Sequence, residues 1–180
     1  MNIANKLTLL RIILIPVFLV FLLMGITPYS KEIALGIFIV ASITDALDGH
    51  LARSLNLITN FGKFLDPVAD KLLVCSALIA FVQLNMLPAW VVIVIISRDF
   101  ILMTFRMIAS SSNIVIAADK IGKIKTIFQM VMIIYLLVGL EGAYTHLIDT
   151  TFIWAVVVLT VASALNYIIK NIAVLDLNNI

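Results

Sequence analysis

Four aspartates lie within 26 consecutive residues of the chain: Asp45, Asp48, Asp66 and Asp70. Each lies in or beside a long apolar run, where a carboxylate is costly unless it meets water, a metal ion or a cation. Carboxylates without His or Cys form a hard oxygen site, which favours Mg²⁺, Mn²⁺ or Ca²⁺ over zinc or copper. Two such ions would neutralise the four charges, and paired metals suit displacement at phosphorus. The aspartates therefore predict a two-metal site.

The spacing of these residues predicts two helix faces. One face has residues at i, i+3, i+4 and i+7, and the other has residues at i, i+4 and i+8. These are Asp45, Asp48, Gly49 and Ala52, followed by Gly62, Asp66 and Asp70. A short polar segment, residues 54–60, is expected to join the two helices, so that both faces meet in a cavity open to the cytoplasm. The glycines let a ligand approach the backbone, and Arg53 offers a planar fork to a phosphate.

The composition points to a membrane protein around this site. The chain has 180 residues, of which 63% are hydrophobic and 12% are charged, whereas soluble domains are about 25% charged. This balance argues against soluble enzymes, disordered chains and nucleic-acid binders, and a single cysteine excludes an internal disulfide. Six apolar runs are long enough to cross a membrane. They are residues 9–24, 33–52, 65–84, 88–108, 121–140 and 152–169.

We therefore predict an all-α polytopic membrane protein, with six transmembrane helices in a single bundle and one domain over residues 1–180. An even number of spans puts both termini on one side. Eleven of the twelve Lys and Arg residues fall toward that side and only Lys31 toward the other, so the positive-inside rule makes it cytoplasmic. Gly139, Gly142, His146 and Asp149 are expected to mark the turn before the sixth helix.

Two other interpretations of the aspartates stay open at this point. They could form a buried charge network with Arg53, Lys63 and Lys71 that only holds helices together. A proton or cation relay, as in a transporter, would also cluster acids inside a helical bundle. A transporter predicts ion flux and access to the aspartates from both sides of the membrane.

The motif itself resembles the signature of the CDP-alcohol phosphotransferase family. That signature is Asp-x-x-Asp-Gly-x-x-Ala-Arg, eight residues, and then Gly-x-x-x-Asp-x-x-x-Asp. Every fixed position matches here, from Asp45 through Arg53 and from Gly62 to Asp70. Members of the family have six membrane helices, which agrees with the six apolar runs. The resemblance extends over nearly the whole chain.

The resemblance implies a role for each motif residue. The family transfers a substituted phosphate from a CDP-linked donor to an alcohol and releases CMP. Asp45, Asp48, Asp66 and Asp70 would ligate two divalent cations, Mg²⁺ or Mn²⁺, and Asp70 would also be the general base that deprotonates the attacking hydroxyl. The residues implied at the CDP site are Gly49, Ala52, Arg53, Gly62, Asn5 and Thr8.

Other stretches resemble the bacterial branch of the family, which uses CDP-diacylglycerol as donor and glycerol 3-phosphate as acceptor. Arg98 and Arg106 lie eight residues apart on one helix face, and Lys123 and Lys125 begin the next span on the same side of the membrane. These four cations suit an acceptor that carries a phosphate. Relatives usually have Glu where this chain has Asp99. The alternative is that the cations only obey the positive-inside rule and touch lipid headgroups.

The expected setting follows from the same resemblance. The protein would be a multi-pass homodimer in the plasma membrane of a bacterium, surrounded by membrane lipids, with its termini and active site on the cytoplasmic side and no nucleic acid as partner. A sister enzyme that uses inositol phosphate or serine as acceptor is the nearest alternative function.

Overall fold

A computed structural model gives the fold of the chain. It describes the backbone of residues 3–54, 60–111, 119–140, 142 and 145–171, and the side chains of residues 6–45, 65, 68–109, 119–140, 142 and 145–171. Six α-helices follow one another in this part of the chain. They are α1 (Ile3–Met24), α2 (Ser30–Ser54), α3 (Asn60–Gln83), α4 (Ala89–Ser111), α5 (Lys120–Val138) and α6 (Thr145–Asn171).

The prediction of six helices from six apolar runs is confirmed, and every helix covers most of its run. Among the residues whose side chains are described, three helical segments are long and apolar enough to cross a membrane: Lys6–Met24, Lys120–Val138 and Thr145–Asn171. In α4, the charged residues Arg98, Asp99 and Arg106 lie inside the apolar run and lower its hydropathy. Six spans, a cytoplasm-facing cavity and cytoplasmic termini stay predictions.

The turn expected at residues 139–149 is shorter in the structure than in the prediction. Gly139 follows α5 with a φ of 64°, the left-handed conformation that glycine supplies at helix ends. However, α6 begins at Thr145, so His146 and Asp149 lie in its first turns and not in the connection. The prediction was wrong there because polar residues lower hydropathy without ending a helix.

Contacts divide the chain into two compact units, and the single domain over residues 1–180 stays a prediction. The first unit contains residues 1–86 and 134–139. In it α1 packs against both α2 and α3. The Phe18 and Phe38 rings meet with centroids 5.8 Å apart, and the small residues Ala34 and Ala41 are fully buried on α2. Small side chains of this kind let membrane helices approach closely.

The second unit contains residues 87–133 and 140–180. Here α4 and α6 run side by side in the same direction, because three contacts advance together along both helices. Trp90 packs on Trp154 with ring centroids 5.7 Å apart. Further along, Arg98 bonds to Ser163, and Phe105 then meets Tyr167 edge to face at 6.2 Å. This register fixes which residues of α4 and α6 face each other.

Many large apolar side chains point outward from both units. Ile13, Ile93, Ile127 and Ile169 each expose more than half of their surface. A soluble protein rarely exposes so much apolar surface, whereas lipid covers it at no cost. The chain is a helical membrane protein.

Candidate active site

The acidic motif is divided between two helices of the first unit. The whole first half, Asp45 to Arg53, lies on α2, and the second half, from Gly62 to Asp70, lies on α3. The helical spacing assumed for both faces is therefore present in the backbone. The side chains of Asp45 and Asp70 are described. Those of Asn5, Asp48, Gly49, Ala52, Arg53, Gly62 and Asp66 lie outside the described side chains, so their roles stay predictions.

Asp45 forms an ion pair with Arg11 of α1, with 2.5 Å between Arg11 Nη1 and Asp45 Oδ1. The Arg11 side chain is completely buried, whereas the Asp45 side chain is 37% exposed. Arg11 therefore approaches Asp45 from the protein interior and leaves part of the carboxylate accessible. Thr8, a predicted CDP-site residue one turn earlier on α1, is also completely buried.

Asp70 has a looser partner, since its Oδ2 lies 3.3 Å from Nζ of the neighbouring Lys71. Its side chain is 40% exposed. The two described aspartates are thus accessible oxygen donors, which is the kind of ligand that Mg²⁺ and Mn²⁺ prefer. Among the side chains that the structure describes, no three acidic, His or Cys residues form a metal-binding group. Two of the four predicted ligands, Asp48 and Asp66, are outside the described side chains.

The second unit contains a buried charge network centred on Asp99. The Asp99 Oδ1 atom accepts hydrogen bonds from Arg98 Nη1 at 2.9 Å and from Lys125 Nζ at 2.6 Å. Exposure is 5% for the Asp99 side chain, 10% for Arg98 and 1% for Lys125. Without Asp99, two cations would lie together in a region with little water, where their repulsion is strong. Asp99 therefore brings two of the four predicted acceptor-binding residues together.

Two further contacts fix the direction of the Arg98 guanidinium. Its Nε donates to Ser163 Oγ at 3.1 Å, and Ser163 in turn donates to the Thr160 carbonyl oxygen. On the opposite helix, a Cβ atom on Gly122 would lie 3.2 Å from Arg98 Nη2, so glycine leaves the room that the guanidinium uses. Arg98 is thus held on three sides, by α4, α5 and α6.

The other two predicted acceptor-binding residues are Arg106 and Lys123, and both are exposed. Arg106 Nε donates to the Leu102 carbonyl oxygen one turn earlier, at 3.3 Å. No described hydrogen bond or ion pair joins either residue to the Asp99 network. The structure thus unites Arg98 with Lys125 and leaves Arg106 and Lys123 accessible, and all four acceptor roles stay predictions.

Asp119 connects the start of α5 to the end of α6. It precedes the first residue of α5, and its carboxylate accepts hydrogen bonds from Asn166 at 2.8 Å and Lys170 at 3.3 Å. Partial loss of water acts to raise the pKa of Asp119, but these hydrogen bonds, the Lys170 charge and a bond from the Ile121 backbone outweigh it and lower that pKa. The position is that of a helix N-cap, and it anchors the turn that carries Gly122 and Lys123.

In the ion pair of Asp45 and the network of Asp99, three residues were not among the sequence-predicted site residues: Arg11, Asp99 and Ser163. Arg11 and Asp99 carried a signal, because an ionisable residue inside an apolar run is a functional candidate by default. Ser163 carried none, since a serine in a membrane helix often bonds only to its own backbone. Pairing it with Arg98 requires the register of α4 against α6.

Comparison with known proteins gives the family. A model of the family described as CDP-alcohol phosphatidyltransferase matches residues 1–162. The chain is 42% identical to a Bacillus subtilis protein named CDP-diacylglycerol–glycerol-3-phosphate 3-phosphatidyltransferase, over 99% of both chains. It is 39% identical to a probable phosphatidylglycerophosphate synthase of Mycobacterium tuberculosis, over 94% of this chain and 81% of that one. A Shigella flexneri protein with the same name as the Bacillus one is 37% identical over 93% of each chain.

The matched residues include both helices of the acidic motif and the whole Asp99 network except Ser163. Together with the six helices and the complete motif, this match confirms the resemblance found in the sequence. The chain belongs to the CDP-alcohol phosphatidyltransferase family.

Proposed function

We propose that this protein transfers the phosphatidyl group of CDP-diacylglycerol to glycerol 3-phosphate, forming phosphatidylglycerophosphate and CMP. The observation that carries the proposal is the cationic cluster of the second unit, in a family whose donors are CDP-alcohols. This cluster consists of Arg98 and Lys125, both bound to Asp99, and of Arg106 and Lys123 on the same two helices, α4 and α5. Relatives that align over nearly the whole chain bear the name of this reaction. The cluster supplies what an anionic acceptor needs and a neutral alcohol does not.

The charges of the cluster suit a phosphate monoester. Arg98 and Lys125 carry two positive charges and Asp99 one negative charge, which leaves one net positive charge in the buried network. The exposed Arg106 and Lys123 raise the net charge to three. Arg98 and Arg106 offer planar forks to phosphate oxygens, while the buried Lys125 acts by holding Asp99. The acceptor is thereby bound by its phosphate, and its primary hydroxyl stays free to react.

The acidic motif supplies the chemistry at the donor. Asp70, which is partly exposed, takes the proton of the acceptor hydroxyl as its oxygen attacks the phosphorus that bears diacylglycerol. Asp45, Asp48, Asp66 and Asp70 are the residues that would hold two Mg²⁺ or Mn²⁺ ions. Bound divalent cations would stabilise negative charge on the attacking and leaving oxygens. Gly49, Ala52, Arg53, Gly62, Asn5 and Thr8 would shape the CDP site.

Arg11 has a positioning role in this proposal. It forms an ion pair with the Asp45 carboxylate from the protein interior, which restricts how that carboxylate can turn toward a metal ion. A residue that orients a ligand in this way commonly tunes the affinity of a metal site. The proposed setting is a multi-pass homodimer in a bacterial plasma membrane, with the termini and the active site on the cytoplasmic side.

The test is CMP release by the purified protein in detergent, with CDP-diacylglycerol and Mg²⁺, and with or without glycerol 3-phosphate. We expect release only when both the metal and glycerol 3-phosphate are present. Release only with inositol phosphate or serine would keep the family chemistry and overturn the acceptor. No release with any acceptor, together with ion flux in liposomes, would favour the transporter.

A further inference from the structure

Tyr167 has a buried hydroxyl without a hydrogen-bond partner among the described residues. The residue is only 4% exposed, and its ring packs edge to face on Phe105. Nearly all buried polar groups in native proteins are hydrogen-bonded, so an unpaired one indicates strain, a water or a ligand that completes it. The ring contact explains why the aromatic group is there, but it gives the hydroxyl no function.

The position of Tyr167 relates it to the cationic cluster. It lies one turn after Ser163 on the buried face of α6, and Ser163 is the residue that accepts the hydrogen bond of Arg98 Nε. Phe105, its ring partner, immediately precedes Arg106 on α4. Tyr167 therefore packs on the residue that precedes Arg106 on α4 and lies one turn from the residue of α6 that binds Arg98.

The chemistry of these neighbours leaves the phenolic hydrogen without an acceptor. Arginine has hydrogen-bond donors and no acceptor, so neither guanidinium can take that hydrogen. No acceptor group among the described residues lies within hydrogen-bond distance of the Tyr167 hydroxyl. A phosphate oxygen is an acceptor that the two arginines would attract to this place.

We propose that the Tyr167 hydroxyl donates a hydrogen bond to the phosphate of the acceptor substrate, beside Arg98 and Arg106. Tyr167 is then a substrate-binding residue. This inference rests on the proposed function, in which the acceptor is a phosphate monoester. Its ring is held by Phe105, so the hydroxyl is in place before the substrate arrives. The site then favours a phosphorylated alcohol, because an unphosphorylated alcohol would leave the Tyr167 hydroxyl without a hydrogen-bond partner.

The test is Tyr167→Phe in the full-length protein, which removes the hydroxyl and keeps the ring on Phe105. We expect KM for glycerol 3-phosphate to rise about tenfold, as expected for loss of one hydrogen bond to a charged group. The KM for CDP-diacylglycerol and kcat should stay within about twofold. Without substrate, Tm should be unchanged or higher, because the variant loses only an unpaired buried hydroxyl. Tyr29→Phe is the matched control, since Tyr29 is 70% exposed.

A second measurement separates this proposal from the reaction itself. Inorganic phosphate should raise Tm of the wild type and raise Tm of Tyr167→Phe clearly less. Equal shifts in both proteins would overturn the proposal, as would a lower Tm of the substrate-free variant with an unchanged KM for glycerol 3-phosphate. If the wild type uses no glycerol 3-phosphate, the proposed function fails, and a phosphate shift that depends on Tyr167 would still support the anion site.

Discussion

The two units of this protein contain groups of opposite charge, and in each unit a buried residue of the other sign forms ion pairs with that group. The first unit collects carboxylates and buries one cation, Arg11, against Asp45. The second unit collects cations and buries one carboxylate, Asp99, between Arg98 and Lys125. Among the described side chains of each unit, a buried residue of the opposite sign reduces the repulsion among residues that are predicted to bind substrate or metal.

The ion pairs of the two units differ in how much of each side chain stays exposed to solvent. Asp45 is 37% exposed although its partner is completely buried, so the acidic side keeps a reachable ligand. In the cationic network, all three members are 10% exposed or less. The comparison indicates that the first unit is arranged for groups that exchange with solvent. The second unit is arranged for a rigid binding surface with little room for movement.

The largest effect is expected at Asp70, which separates chemistry from binding. Asp70→Asn should lower kcat by about 10³-fold, because a general base is lost, while CDP binding in the presence of metal is partly retained. Steady-state CMP release measures the first quantity, and equilibrium binding of CDP measures the second. Asp149→Asn, the same change outside the motif, is the control. Wild-type turnover in Asp70→Asn would remove Asp70 from the mechanism.

The next largest effect is expected at Asp99. Asp99→Asn leaves two buried cations without a counter-charge, which should cost about 3 kcal/mol of folding free energy. Inorganic phosphate should stabilise this variant more than the wild type, since an anion replaces the missing charge. Thermal denaturation in detergent checks this, with the exposed Glu32→Gln as control. Equal phosphate effects in variant and wild type would contradict the comparison.

A smaller effect is expected at Arg11, where the substitution removes a buried cation and not a buried carboxylate. Arg11→Met should cost about 2 kcal/mol, less than the Asp99 change because Asp45 stays partly hydrated. Its stability should depend more strongly on Mn²⁺ than that of the wild type, because the metal becomes the main counter-charge of Asp45. Tm with and without Mn²⁺ measures this, and Lys6→Met on the same helix is the control. A metal response equal to that of the wild type would show that Arg11 does not act on the metal site.

The smallest effect is expected at Asp119, where the two helix ends are joined. Because the folded-state pKa of Asp119 is lowered, its contribution to stability is present above its ordinary pKa and is lost as pH falls through the folded value. The Tm difference between wild type and Asp119→Asn should therefore be constant near neutral pH and shrink below about pH 4. A difference that grows toward low pH would contradict the assigned contacts.

The helices and the motif were predictable because both depend on spacing along the chain. Hydropathy located six helices, and intervals of three and four residues placed the aspartates on α2 and α3. Asp99 looked like a minor departure from its relatives, yet it is the centre of the cationic network. That role depends on Lys125, 26 residues away, and the register between α4 and α5 has no periodic signal. The contacts of Arg11 with Asp45 and of Tyr167 with Phe105 likewise depend on how the helices pack.

The length of α6 has a consequence for the lipid around the protein. Trp and Lys side chains prefer the membrane interface, and the rise from Trp154 to Lys170 along α6 is about 24 Å. This is slightly shorter than the hydrocarbon core of an average bilayer, about 30 Å. Because Ser163 and Tyr167 lie within the last two turns before Lys170, hydrophobic matching of α6 would set the depth of the proposed phosphate site. Bilayer thickness thereby becomes a determinant of how easily a water-soluble substrate reaches it.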